Sequence, residues 1–172
     1  MTIDFKTLDL RDSLDLAILI EEEACERYKE FAEQIGSRYR GDAGDFFKEM
    51  ALNEEKHGRQ LSDRRNKLFK DAPRRVNPIV IWDIEAPAAG KPRPYMSPRQ
   101  AMELALSAET KAYRFFDDAL PYIVNAEVRA LFTELRNEEG EHRKALEKQI
   151  ALLPPGDGPD LSDDDLDEPS AL

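Results

Sequence analysis

The sequence predicts an all-α fold, a four-helix bundle with a long crossover between helices 2 and 3. Three observations carry this expectation. Apolar residues recur at alternating steps of four and three in four separate segments, the spacing that keeps one side-chain row facing a bundle core. Each segment is bounded by residues that start or stop helices. Of the 172 residues, 41% are hydrophobic and 35% charged, a mixture suited to amphipathic helices with solvated outer faces. The bundle is expected over residues 1–153, with the crossover at 71–96 and an acidic, disordered tail at 154–172.

The first helix is expected from Ser13 to Ile35, with Asp12 or Ser13 as N-cap and Gly36 as the left-handed C-terminal residue. The second begins near Asp42 and continues to about Lys70, ahead of Pro73. Ser97-Pro98 opens the third, because proline at the first helical position loses no hydrogen bond, and Pro121 stops it. The fourth runs from Asn125 to Leu153, where Pro154-Pro155-Gly156 forbids continuation. Between helices 2 and 3, Pro73, Pro78, Pro87, Pro92 and Pro94 surround the apolar run Pro78-Ile79-Val80-Ile81-Trp82. This composition predicts an extended crossover that either lies along the bundle or exchanges with a neighbouring copy. Beyond Pro154 the chain is rich in Asp, Pro and Gly, which disfavours packed structure.

Charge and cysteine usage exclude several functions. A formal charge of −11 opposes binding to nucleic acid or an anionic membrane and favours cations. No segment approaches the roughly 18 apolar residues of a membrane span, and Met1–Leu10 lacks the pattern of a secretory leader, so a cytoplasmic protein is expected. The single cysteine, Cys25, excludes an intrachain disulfide framework or a Cys-x-x-Cys metal knuckle in these residues.

The chemistry emerges when the four stripes are read side by side. Helix 1 presents Leu14, Ile18, Glu21, Cys25, Tyr28, Ala32 and Ile35, and helix 3 presents Met102, Ala105, Glu109, Ala112, Phe116 and Ala119. Helix 2 presents Phe47, Met50, Glu54, His57 and Leu61, and helix 4 presents Val128, Phe132, Leu135, Glu139, His142 and Leu146. Every core stripe thus contains one Glu, and two add a His one turn later. Burying four carboxylates costs several kcal/mol each unless they are protonated, paired or bound to cations, roughly the scale seen for buried charges. The stripes supply no Lys or Arg. Two divalent metals would balance the four charges with one imidazole apiece, the donor set of a di-iron or di-manganese carboxylate site. Cys25 and Tyr28 are read as core packing, with a hydrogen bond from the Tyr28 hydroxyl to a ligand carboxylate as the alternative for Tyr28. Gly140 either relieves crowding beside Glu139 or is simply tolerated.

An internal repeat supports this reading. Glu21 and Glu109 stand 88 residues apart, while the pairs Glu54–Glu139 and His57–His142 each stand 85 apart. Helices 1 and 2 therefore match helices 3 and 4. Ala17 then aligns with Ala105, Ala24 with Ala112, Tyr28 with Phe116 and Ile35 with Ile123. This register selects Glu21 from the run Glu21-Glu22-Glu23 and leaves the other two as surface charges.

The motifs Glu21-x-x-Ala24-x-x-x-Tyr28, Glu54-x-x-His57, Glu109-x-x-Ala112 and Glu139-x-x-His142 make the chain resemble the rubrerythrin branch of the ferritin-like superfamily across about residues 10–153. The resemblance implies a ferritin-like bundle and a di-iron centre that reacts with peroxide or dioxygen, held by Glu21, Glu54, His57, Glu109, Glu139 and His142. Manganese is an alternative to iron. Two departures from the family pattern matter. With one cysteine, these residues cannot form the four-cysteine rubredoxin-like domain that delivers electrons in rubrerythrins proper, so a separate electron donor would be needed. Ala112 occupies the place of an additional third-helix carboxylate. The expected activity is therefore Fe(II) oxidation or peroxide reduction, with ferrous oxidation favoured over sustained peroxide turnover. The alternative is iron binding, storage or buffering without efficient turnover. A homodimer or larger homo-oligomer is expected.

Overall fold

The structure is a computed structural model that describes residues 3–77, 84–87 and 95–154. The apolar run Pro78–Trp82 and the expected acidic tail beyond Pro154 lie outside the described residues. The described chain contains four long α-helices: α1 at Leu10–Ile35, α2 at Ala43–Phe69, α3 at Pro98–Ala119 and α4 at Ala126–Leu152. A single 3₁₀ turn, Leu120–Tyr122, follows α3 and carries Pro121, where the sequence predicted the stop. At 1.5 Å per residue, the 27 residues of α2 or α4 span about 40 Å.

Capping chemistry sets the helix boundaries. Asp42 caps α2 by accepting from the Asp45 N–H, and Asn125 caps α4 by accepting from Glu127 and Val128. Ser97 caps α3 in a reciprocal capping box with Gln100. One expectation needs correction: α1 starts a turn earlier, with Asp9 as N-cap, not Asp12 or Ser13. Asp9 Oδ1 accepts from the Asp12 N–H at 2.9 Å, which places Asp12 in the first turn. Acidic residues suit both places, because each faces the positive end of the helix, so residue type alone does not separate them. Gly36 ends α1 at φ 66°, as expected. The α1–α2 turn also requires Gly44, since a Cβ there would lie 2.3 Å from the Gly36 carbonyl oxygen.

Two apolar clusters fix the helix directions. One contains Leu14 and Ile18 from the start of α1, Leu61 from late α2, Phe116 from late α3, and Val128 and Phe132 from early α4. The other contains Tyr28 and Phe31 from late α1, Phe47 and Met50 from early α2, Ala101 and Ala105 from early α3, and Leu146 from late α4. Accordingly α1 and α4 run from the first cluster to the second, and α2 and α3 run the opposite way. Because α2 and α3 are parallel, the chain between them must return along the bundle. Its described parts do so: Val76 and Ile84 pack on the first cluster, and Met96 belongs to the second.

Polar contacts anchor this return. Arg65 of α2 is buried and donates from Nε to Asp15 Oδ1 at 2.6 Å, from Nη1 to the Lys70 carbonyl at 3.1 Å, and from Nη2 to the Ala72 carbonyl. Lys70 has φ 51°, so the guanidinium braces a left-handed turn where α2 ends. Arg74 then makes a two-pronged pair with Glu22 at 2.8 Å for both contacts, and Arg75 pairs with Asp9 and Asp12. Glu22 is thus a surface charge, as the repeat register predicted, with a structural partner.

The Asp15–Arg65 pair yields a stability prediction. Arg65→Ala leaves a fully buried Asp15 carboxylate without its cation and should cost about 3–5 kcal/mol in urea unfolding. Asp15→Ala combined with Arg65→Ala should lose less than the single Arg65→Ala change. A single-variant loss below about 1 kcal/mol would show that the pair is not what secures this end of the crossover.

Candidate metal centre

The boundary between the two apolar clusters is where the glutamates stand. In α1 the stripe passes from Ile18 through Glu21 to Ala24, and in α2 from Met50 through Glu54 to Leu61. The corresponding steps are Ala105, Glu109, Ala112 in α3 and Leu135, Glu139, Leu146 in α4. The four glutamates therefore meet at one level near the bundle's middle. None is more than 5% exposed.

All six residues expected from the sequence are brought together. Ligand atoms of Glu21, Glu54 and His57 lie within 4.8 Å of one another, as do those of Glu109, Glu139 and His142. His57 Nδ1 is 3.5 Å from Glu54 and 3.8 Å from Glu21. His142 Nδ1 lies 3.2 Å from Glu109 and 3.3 Å from Glu139. The two imidazoles stack with ring centroids 5.0 Å apart and planes only 7° from parallel. This pairing realises the sequence repeat in space, each half supplying two carboxylates and one imidazole.

A fifth carboxylate joins them that the stripe reading missed. Glu85, on the crossover, is 2% exposed and enters two further groups with the same 4.8 Å limit, one with Glu21 and Glu139 and one with Glu54 and Glu109. Helical periodicity could not reveal it, since it lies on no helix. A usable signal did exist in chain length. The crossover must run back along the bundle, and Glu85 stands near the midpoint between Phe69 and Pro98, where it passes the level of the glutamates.

The donor set suits divalent cations. Oε2 of Glu21, Glu54, Glu85 and Glu139 is buried in each case without a hydrogen-bond partner among the described residues. Such orphaned oxygens are costly unless a cation or proton meets them. Carboxylate oxygens with imidazole nitrogens are ligands for iron or manganese. A cavity of about 350 Å³ reaches the two histidines, Glu54 and Glu109, with Met50 and Met102 among its walls. The histidine side chains are 25% and 32% exposed, so they form the open rim of a closed carboxylate floor.

Nearby groups follow the packing expectation more than a ligand role. Cys25 is buried and its Sγ–H points to the Ala51 carbonyl at 3.3 Å. Tyr28 is buried as expected of core packing, and the alternative hydrogen bond to a ligand carboxylate is not made, since its hydroxyl has no partner among the described residues. Gly140 is merely tolerated, because a Cβ there would meet the Tyr113 ring at an ordinary 3.5 Å.

Burial raises the carboxyls of Glu21, Glu85 and Glu139 well above the ordinary range, and repulsion among neighbouring glutamates adds to it. The carboxylates of Glu109 and Glu139, 3.2 and 3.3 Å from its Nδ1, push the His142 imidazole up to about 11. All four groups bind protons more tightly when folded than when unfolded. Their contribution is complete below the unfolded values, about 4.3 for Glu and 6.5 for His, and is lost as pH rises toward the folded values. Chelator-treated protein should therefore melt at progressively lower temperature as pH rises from about 5 to 9. Glu139→Gln should flatten that slope. A melting temperature that rises over this range would contradict the clustered-carboxylate description.

Comparison with known proteins agrees with this fold. Among curated proteins, none matches the chain. A solved structure of an uncharacterized conserved protein from Magnetospirillum magnetotacticum MS-1 superposes with a TM-score of 0.66 at 28% identity, covering 87% of this chain and 98% of that one. The family model for rubrerythrin matches residues 12–150, which span all six predicted site residues and the crossover carboxylate. The chain belongs to the rubrerythrin family, and its all-α, ferritin-like bundle is the fold expected of it.

Proposed function

We propose that the chain is a di-iron, or di-manganese, carboxylate oxidoreductase that oxidises Fe(II) or reduces peroxide. The observation that carries this reading is the pair of facing Glu, Glu, His triads with buried, partnerless carboxylate oxygens between them. Glu21, Glu54 and His57 would hold one metal, and Glu109, Glu139 and His142 the other. A pair of redox-active metals held there would supply the electron transfer to a peroxide or dioxygen substrate. The protein's own work is to exclude water with the two apolar clusters, to fix the six donors on rigid helices, and to admit a small oxidant through the cavity at the histidine rim.

The same cavity gives both the metal and a small oxidant a route to the donors. Ferrous oxidation remains the favoured direction. Ferrous iron brings its own electron, whereas every turnover of peroxide needs a reductant, and these 172 residues contain one buried cysteine. The argument from Ala112 loses force, since Glu85 keeps the local carboxylate count at five.

Metal binding should displace the protons held by Glu21, Glu139 and His142, so it should release protons and tighten as pH rises through neutrality. Calorimetric titration with Mn(II) in buffers of different ionisation enthalpy measures the release. Uptake of protons would contradict it.

His57→Ala with His142→Ala should lower metal content from about two ions per chain to well below one, by elemental analysis. Retention of two ions at unchanged affinity would sink the ligand assignment. Mixing metal-free protein with Fe(II) and then oxygen or peroxide should give fast oxidation in the first turnover, falling at least about tenfold in Glu54→Ala. Oxidation no faster than in buffer would leave only the binding-protein reading.

A further inference from the structure

We infer that Glu85 is a seventh ligand, supplied by the crossover and shared between the two metal positions. This rests on the function proposed above and adds a donor from outside the helices.

Three independent features of the residue lead here. First, its position is shared: each of its two groups joins one glutamate from the first half of the chain, Glu21 or Glu54, with one from the second, Glu139 or Glu109. A carboxylate within 4.8 Å of donors from both halves stands between the two triads, not beside one of them. Second, Glu85 is 2% exposed, and its Oε2 has no hydrogen-bond partner among the described residues. An orphaned oxygen buried this deeply is costly unless a proton or a cation meets it. Third, the backbone is held in place. Lys111 Nζ donates to the Ala86 carbonyl at 2.8 Å, and Ile84 packs on the first apolar cluster. Glu85 is thus fixed on both sides, by packing before it and by an ammonium after it.

The attachment through Lys111 is informative because of where it sits. Lys111 lies between Glu109 and the buried Ala112 in sequence, so the crossover is tied to the stretch of α3 where the additional carboxylate is absent. The carboxylate missing from α3 is thereby replaced from a different element. The donor set becomes five carboxylates and two imidazoles, a composition that the four helical stripes cannot supply alone.

The test compares Glu85→Gln, which keeps size and removes charge, with the unmodified 172-residue chain. Mn(II) is titrated into chelator-treated protein, with affinity read by competition against a chromogenic chelator and thermal melting recorded with and without Mn(II). The expected result is at least about tenfold weaker Mn(II) binding, a smaller metal-induced rise in melting temperature, and a metal-free melting temperature that is unchanged or higher, because a repelled buried charge has been removed. A structural role predicts the reverse pattern, in which metal-free stability falls while Mn(II) affinity stays the same, and that result overturns the inference. A crystal structure of the unmodified protein grown with Mn(II) gives the same decision without a variant: a Glu85 oxygen within bonding distance of manganese supports it, and one beyond 3 Å, about an ångström outside carboxylate coordination, overturns it. Failure of the unmodified protein to bind Mn(II) or Fe(II) would remove the proposed function itself. Two ions bound equally well by Glu85→Gln and unmodified protein would remove only this inference.

Discussion

Five carboxylates buried at one level of an apolar bundle are the constraint on which the remaining features depend. Each of them is nearly inaccessible to water, and four keep an oxygen with no hydrogen-bond partner among the described residues. No folded chain of ordinary stability tolerates five such charges uncompensated, because the desolvation of each rivals a large part of the net folding free energy. Protons answer the problem in part, as the raised carboxyls of Glu21, Glu85 and Glu139 indicate. Cations would answer it more fully, and the two imidazoles at the rim would complete the donor set of such a site.

The topology serves the same constraint. Each helix passes the boundary between two apolar clusters once, and each places its glutamate at that crossing. With α2 and α3 parallel, the connection cannot be a tight turn. It has to travel the bundle's length, and it therefore passes the carboxylate level on its way. The polar anchors Arg65, Arg74 and Lys111 hold the described parts of that return against α1, α2 and α3. A connection that looks like spare chain is thus positioned to contribute a side chain to the centre.

Most of the helical part was legible in the sequence, for physical reasons that can be named. The four and three spacing of apolar residues is imposed by the geometry of a packed helix, so the stripes through Glu21, Glu54, Glu109 and Glu139 show which faces are buried. Ser97, Asp42 and Asn125 act as caps because their side chains accept from free N–H groups, and each marked its helix. Asp9 did not stand out, since Asp12 and Ser13 nearby offer the same chemistry. Glu85 escaped because an extended segment has no helical period to betray its buried face. The partnerless Tyr28 hydroxyl escaped for another reason: a sequence fixes that a tyrosine packs inward, whereas its hydrogen bond depends on a few tenths of an ångström.

The central claim is that the carboxylate cluster exists to hold two metal ions. Native mass spectrometry of the chelator-treated chain, reloaded with Fe(II) under anaerobic conditions and then desalted, counts the ions on each chain directly. The account predicts one dominant species carrying two irons per chain. A chain that returns metal-free, or that carries a broad distribution of loosely held ions with no preference for two, would contradict it.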